Sequence, residues 1–147
     1  MIRCFRRRPM GEMRLCLQAF GAFTLTAVAL HWVSLPTLRR WLWRALSAAV
    51  PLPVSRRLPM PRVLKCAALA SRLTPMPATC LARALVVEAL LRRHGYAVQM
   101  RIGVRRPESH SFAAHAWLEY EGKIVVGGPE SVVGQYQVLP DLEHLIA

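Results

Sequence analysis

The spacing of apolar residues changes at Gly95 and separates a helical part of the chain from a strand part. Before Gly95, apolar side chains recur at helical spacing, which predicts helices over 62–73 and 80–94. After Gly95, apolar and polar residues alternate, which predicts strands and a tight turn between the second and the third. The predicted strands are 96–104, 113–120, 123–126 and 135–139. With a short helical tail from Asp141, this order predicts an α+β fold.

A nearly continuous apolar run covers 15–33 and follows a basic N-terminus. Helical residues in this number rise about 28 Å, close to the thickness of a hydrocarbon core, so one membrane span is an alternative. The small residues at 27–29 allow a signal peptide as another. A second predicted helix, 36–50, has apolar residues on one side and arginines on the others. We therefore favour a helical pair that packs on the domain or lies at a membrane interface.

A proline-rich stretch separates these helices from the rest of the chain. Proline does not fit a helix interior, and the neighbouring arginines keep the stretch in solvent. The prolines are Pro51, Pro53, Pro59 and Pro61. The sequence thus predicts a basic and hydrophobic helical segment over 1–50, a linker over 51–61 and a folded domain over 62–147.

Composition limits the size of the fold and the kind of partner. The chain has 147 residues, enough to bury one core, and 54% of them are hydrophobic. Its 18 arginines and 2 lysines against 8 acids give a net charge of +12. Such a balance suits a nucleic acid, an anionic membrane surface or an acidic peptide.

The cysteines show no short paired spacing, so we expect reduced thiols in a cytoplasmic setting rather than a disulfide framework. A zinc site is conceivable from Cys66, Cys80, His110 and His115, but none of these pairs has the close spacing of zinc ligands. The chain also lacks a glycine-rich phosphate loop. No metal or other cofactor is therefore predicted, and any use of ATP belongs to a partner.

Cys80 stands where a reactive thiol is expected. Thr79 precedes the predicted helix and can accept a backbone N–H bond as its N-cap. Cys80 then occupies the first turn, where free amides and the helix dipole favour a thiolate. His115, on a predicted strand, is a candidate general base toward this thiol and a later acid for a leaving amine. A lone cysteine is more often inert core, so the assignment depends on His115.

The strand that contains His115 predicts what surrounds the imidazole. Alternation places His115, Trp117 and Glu119 on one face of the strand. The imidazole therefore shares its face with an aromatic side chain, which would shield a site from water. A cysteine on a helix followed by a histidine on an antiparallel sheet is an order typical of papain-like and transglutaminase-like folds.

Several motifs together resemble a known family. They are 80–84, 92–95, 102–104, 112–119 and Gly122. The combination resembles the transglutaminase-like domain of lasso peptide B proteins over about 61–139, and the preceding hydrophobic helices resemble those of the stand-alone version. The resemblance implies a cysteine peptidase with Cys80 as nucleophile and His115 as base.

The resemblance also implies a reaction and its partners. The peptidase would remove the leader from a ribosomally made precursor peptide, and a separate ATP-dependent, asparagine-synthetase-like cyclase would close the freed amine onto an acidic side chain. A small companion protein would bind the leader. These partners are peptides and proteins and not a nucleic acid, and the N-terminal helices could associate with a membrane.

One position departs from the family pattern. Such domains usually have an Asp where this chain has Gly127, and that Asp orients the histidine. The only Asp in the chain, Asp141, lies far along it. Glu130 is a candidate substitute as the third catalytic residue, and a backbone carbonyl is the alternative that would leave a working dyad. The missing Asp also keeps a second function open, a non-catalytic or differently tasked transglutaminase-like binding module, with or without membrane attachment.

Overall fold

The structure, a computed structural model, describes residues 10–106 and 112–140. Its elements, in chain order, are α1 (Met10–Ala29), α2 (Leu35–Ala45), α3 (Met60–Leu73), α4 (Cys80–Arg93), β1 (Gln99–Arg105), β2 (Ala113–Tyr120), β3 (Lys123–Val126), α5 (Glu130–Val133) and β4 (Gln137–Val138). A short 3-10 turn covers Val54–Arg56 in the proline-rich stretch. The predicted helical tail from Asp141 lies outside the described residues. The rest is the mixture of helices and antiparallel sheet that the sequence predicts.

The sheet is antiparallel, with the strand order β3-β2-β1-β4. Glu121 and Gly122 join β2 to β3, and both have positive φ angles, 49° and 74°, as the predicted tight turn requires. Strand β1 begins later than predicted because the Tyr96 N–H bonds to the Leu91 carbonyl and closes the end of α4. Strand β4 is shorter than predicted because the Tyr136 N–H bonds to the Val133 carbonyl in the turn after α5.

Helix α4 lies at the centre of the core. Its residues from Ala84 to Leu91 are all buried, and the helix contacts β1, β2 and β3, three of the four strands. Helix α1 packs on α3 and α4, and α2 packs on α4. Buried residues of α1, α2, α3, α4, β1 and β2 form one cluster, and Val125 and Val126 of β3 pack against it. The division of the chain into three parts stays a prediction, but α1 and α2 share their core with the elements that follow the linker.

A buried charge cluster joins α2 to α4. Glu88 is fully buried in the middle of α4 and accepts two hydrogen bonds from Arg39 of α2, one of them at 2.9 Å from Nε. Arg92, one turn further along α4, lies 3.5 Å from the same carboxylate. Both guanidinium groups stack over the Trp43 ring at 4.6 Å. Arg39, which sequence periodicity places on the polar side of α2, is therefore buried because its charge is paired across the helix interface.

Helix α1 presents an exposed apolar side to solvent. The exposed hydrophobic residues of this helix are Met10, Met13, Leu17, Phe20, Leu25 and Val28. Across the part of the chain that the structure describes, none of the helices joins sufficient length to sufficient apolar character to cross a bilayer.

We expect Glu88→Gln to lower the free energy of unfolding by about 3–5 kcal/mol, because it leaves the buried Arg39 guanidinium without a countercharge. Urea unfolding measured by circular dichroism checks this. The matched control is Glu12→Gln, which breaks the pair with the exposed Arg62 at 3.2 Å and should cost about 1 kcal/mol or less. Equal losses in the two variants would contradict the assigned role of the buried cluster.

The proline-rich stretch is fixed to the end of α4 by a buried histidine. The Leu58 N–H donates to His94 Nδ1 at 3.0 Å, so this nitrogen must be unprotonated in the folded protein. The Tyr96 hydroxyl holds the same stretch, since it accepts the Met60 N–H at 2.9 Å and donates to the Leu58 carbonyl at 3.3 Å. Burial, with the charge of Arg93 second, lowers the pKa of His94 below its ordinary value of 6.5.

This lowered pKa predicts acid sensitivity. Because the unfolded chain binds a proton more readily at this site, the contribution of His94 is complete above pH 6.5 and is lost as the pH falls through the folded-state pKa. We expect the free energy of unfolding of the wild-type chain to decrease as the pH falls below 6.5. His94→Asn, whose amide oxygen can accept the Leu58 N–H without titrating, should show a flatter pH profile. Parallel profiles for the two proteins would refute this.

Candidate active site

Cys80 is the first residue of α4, and its N-terminal environment is the predicted one. The Thr79 hydroxyl accepts the Ala82 N–H at 3.2 Å, which confirms Thr79 as the N-cap. The side chain of Cys80 is half-buried and forms no disulfide with another cysteine of the described residues. A thiol at this place has free backbone amides beside it and access to solvent, the two features that a nucleophilic cysteine needs.

His115 lies in β2, and a backbone group fixes its ring. Its Nε2 lies 2.6 Å from the carbonyl oxygen of Gly127, which follows β3. A carbonyl only accepts, so Nε2 carries the proton and donates it to this bond. Neutral His115 therefore has an unprotonated Nδ1, and a general base needs such a nitrogen. The hydrogen bond does for the ring orientation what an Asp carboxylate does in a triad, without adding a negative charge.

Two aromatic side chains flank the imidazole. Trp117 is buried and stacks on His115 with ring centroids 6.1 Å apart, which confirms the aromatic neighbour that strand alternation predicts. Tyr136 lies on another side at 5.2 Å and was not predicted. Gly103 faces His115 across β1 and β2, and a Cβ there would lie 2.8 Å from the Tyr136 Cβ and 2.9 Å from the Trp117 ring. The absence of a side chain at Gly103 is what makes room for both rings.

Trp117 is itself held in place by polar contacts. Its indole N–H donates to the Glu119 carboxylate at 2.8 Å, and that carboxylate lies 3.5 Å from the Arg101 guanidinium. Glu119 therefore serves the aromatic wall, and no hydrogen bond joins it to His115 among the described residues. The hydrogen bond to Glu119 also fixes the position of the Trp117 ring, which shields the imidazole.

Gly127 explains the absent Asp in steric terms. Its φ of +117° is one that residues with a side chain rarely adopt. A Cβ at this position would lie 2.3 Å from the Trp117 Cβ and 2.9 Å from its Cα. In this conformation any side chain collides with the backbone of β2. The position that holds the acid in the family pattern contributes a carbonyl here because only glycine fits.

The other candidate for the third residue stands apart. Glu130 is exposed in the first turn of α5 and makes no hydrogen bond with His115 within the described residues. Of the two alternatives that the sequence leaves open, the geometry favours the backbone carbonyl. Within 10–106 and 112–140, no three His, Cys, Asp or Glu side chains lie close enough together to hold a metal ion.

Helix α4, which begins at Cys80, packs on strand β2, which contains His115, but among the described residues no hydrogen bond links the thiol to the imidazole. Helix α4 packs on β2, where Ala116 and Leu118 belong to the shared core. Alternation places His115 and Trp117 on the other face of β2. Accordingly, Cys80 Sγ and His115 form no hydrogen bond among the described residues. Hydrogen bonds between catalytic groups are often long in free enzymes and shorten when substrate binds.

The helices and antiparallel sheet define the class as a mixed α and β protein compatible with a cysteine peptidase type of fold. A family model described as the transglutaminase-like superfamily matches residues 23–141. The chain belongs to this superfamily, which confirms the coarse family that the sequence motifs indicate. No curated protein and no solved structure matches the chain significantly.

The carbonyl acceptor can be tested with two neighbouring glycines. Gly127→Ala should displace the carbonyl from His115 because its new methyl group collides with Trp117. Gly128→Ala is the matched control, since Gly128 also has a positive φ, +100°, but its Cβ would meet nothing closer than 3.9 Å. The ¹⁵N shifts of the His115 ring should show the Nε2–H tautomer in the wild type and in the control and a mixture in Gly127→Ala. A wild-type spectrum dominated by Nδ1–H would refute the assignment.

Proposed function

We propose that this protein is a cysteine peptidase that removes the leader from a ribosomally synthesised precursor peptide of the lasso type. The observation on which this rests most is the His115 ring, held through Nε2 by the Gly127 carbonyl so that Nδ1 is left as a base. Membership of the transglutaminase-like superfamily and the capped helix that begins at Cys80 support the same reaction. The assignment to lasso peptide maturation depends in addition on the resemblance of the sequence motifs over about 61–139.

The chemistry uses only groups of this chain and water. His115 Nδ1 accepts the proton of the Cys80 thiol, and the sulfur attacks the carbonyl carbon at the end of the leader. As the C–N bond breaks, His115 returns the proton to the departing amine, and the leader stays on Cys80 as a thioester. Water then attacks the thioester while His115 takes a proton from it and returns a proton to the sulfur. The products are the leader acid and the freed amine.

The surroundings of His115 suit this cycle. Buried Trp117 and the Tyr136 ring limit access of water to the imidazole, which strengthens its hydrogen bond to the carbonyl. The carbonyl is a neutral acceptor, so its hydrogen bond to the ring is weaker than one to a carboxylate. For the pair to react, the bound peptide must bring Nδ1 and the thiol within hydrogen-bond reach.

A second function of a different class is a transglutaminase-like binding module without turnover. The lack of a hydrogen bond between Cys80 and His115 among the described residues favours it. This candidate and the peptidase differ in one measurable property, the reactivity of Cys80. A nucleophilic thiol is alkylated by iodoacetamide at neutral pH far faster than a structural one.

The proposed reaction assigns work to partners. A small companion protein would hold the leader as an added strand, and an asparagine-synthetase-like cyclase would consume the freed amine with ATP. Holding the leader in a complex raises its local concentration at the thiol to about millimolar for a short flexible tether. The exposed apolar side of α1 offers these proteins a contact surface.

We expect Cys80→Ala to abolish leader removal, by about a thousandfold or more, because it deletes the attacking sulfur and keeps a good helix former in the first turn. Mass spectrometry of precursor cleavage, with the companion protein present, measures the rate, and circular dichroism verifies the fold. Cys16→Ala, a half-buried cysteine in α1, is the matched control and should retain activity. Cleavage by Cys80→Ala near the wild-type rate would exclude Cys80 as the nucleophile.

A further inference from the structure

A cavity of about 330 Å³ lies between the helices and the end of β3. Its walls are mainly apolar and include Phe23 of α1, Val87 of α4 and Val125 and Val126 of β3. The volume is at the lower end of the range of about 300–1,000 Å³ for ligand pockets, which is space for one or two side chains. The small side chains that α3 contributes, such as Ala68, are what leave this space open.

Two arginines stand at this cavity without a countercharge. Arg72 of α3 and Arg83 of α4 line it, and both are exposed. None of its lining residues is acidic, and no carboxylate among the described residues pairs with either guanidinium. This differs from the buried Arg39 and the half-buried Arg92, whose charges Glu88 offsets. An apolar cavity with two unneutralised guanidinium groups is complementary to an anionic group beside an apolar one.

The cavity lies beside Cys80 along α4 and, at its other wall, beside Gly127 along the chain. Arg83 follows Cys80 by three residues, one turn along α4, and Val87 continues the same side of the helix. On the opposite wall, Val126 immediately precedes Gly127, whose carbonyl holds His115. A peptide segment with a side chain in the cavity would therefore pass about one helical turn, ~5 Å along α4, from the thiol.

We propose that this cavity is a specificity subsite that binds an acidic side chain and an adjacent apolar side chain of the peptide substrate. The carboxylate is held by Arg72 and Arg83, and the apolar neighbour packs against Phe23 and Val87. This inference rests on the proposed peptidase function for the identity of the peptide as a substrate. It adds a selectivity that the catalytic groups alone do not provide, since neither Cys80 nor His115 distinguishes one side chain from another.

The experiment begins with binding, which needs no turnover. Immobilised Cys80→Ala chain selects from a synthetic peptide library, and the selected peptides are expected to contain Glu or Asp next to a large apolar residue. The best peptide is then made in two forms, with the acid or with its amide. Fluorescence anisotropy on Cys80→Ala should show about tenfold weaker binding of the amide form, the loss typical of one charged hydrogen bond. Adding Arg83→Gln or Arg72→Gln should remove this difference.

Cleavage of the same two peptides by chains that retain Cys80 gives the second readout. Arg83→Gln should lower kcat/KM for the acidic peptide about tenfold and leave the amide peptide within about twofold. The matched control is Arg44→Gln, an exposed arginine of α2 that does not line the cavity. Ala68→Phe, which fills the cavity from an exposed position, should lower kcat/KM only for peptides that have a large apolar residue next to the acid.

The outcomes separate the subsite from the reaction. Efficient cleavage with no preference between acid and amide would overturn the subsite and leave the peptidase standing. Selective binding that Arg83→Gln removes, without cleavage by the wild-type chain, would support the cavity as an acidic-peptide site and refute the peptidase. Binding of decanoate that Arg83→Gln abolishes, with no peptide selectivity, would overturn the peptide assignment in favour of a fatty acid.

Discussion

The pairing of Glu88 with two arginines is the interaction on which the arrangement of this protein depends. A carboxylate in the centre of the most buried helix is tolerated because Arg39 reaches it from α2 and Arg92 from the next turn. Arg92 also donates to the Val98 carbonyl at 3.1 Å, just before β1. One buried acid thus fixes α4 against a helix on one side and the start of the sheet on the other. Cys80, eight residues before Glu88 on the same helix, takes its position from that arrangement.

Local features were predictable because they are determined by neighbouring residues. The Thr79 cap, the glycine end of α4, the bounds of β2 and β3, and the turn between them all follow from short-range patterns that the structure confirms. The partner of Glu88 could not be predicted, since 49 residues separate it from Arg39. The place of Tyr136 beside His115 depends in the same way on the turn that connects α5 to β4. Periodicity describes which face a residue occupies and carries no information on which distant charge or ring meets it.

The candidate site shows the same division. The sequence predicts the cysteine and the histidine by type and local context, and it predicts Trp117 by alternation. Where an acid is missing, it offers Glu130 or a carbonyl and has no means of choosing between them. The choice is made by the conformation after β3, where the positive φ of Gly127 aims its carbonyl at Nε2. The direction of a backbone carbonyl cannot be predicted from residue types, apart from the presence of the glycine itself.

A hydrogen-bond acceptor that belongs to the main chain is not encoded by the type of any side chain. A side-chain replacement such as Gly127→Ala reaches this oxygen only indirectly, through the collision with Trp117, because no side-chain replacement removes the oxygen itself. Weakening the acceptor itself calls for backbone chemistry, such as an ester in place of the peptide bond between Gly127 and Gly128, whose carbonyl oxygen is a poorer hydrogen-bond acceptor than that of an amide. In this chain the orientation of the His115 ring depends on the backbone conformation at the end of the β2–β3 hairpin and not on an acidic side chain. A comparison of residue identities at that position would therefore overlook an acceptor that the backbone supplies.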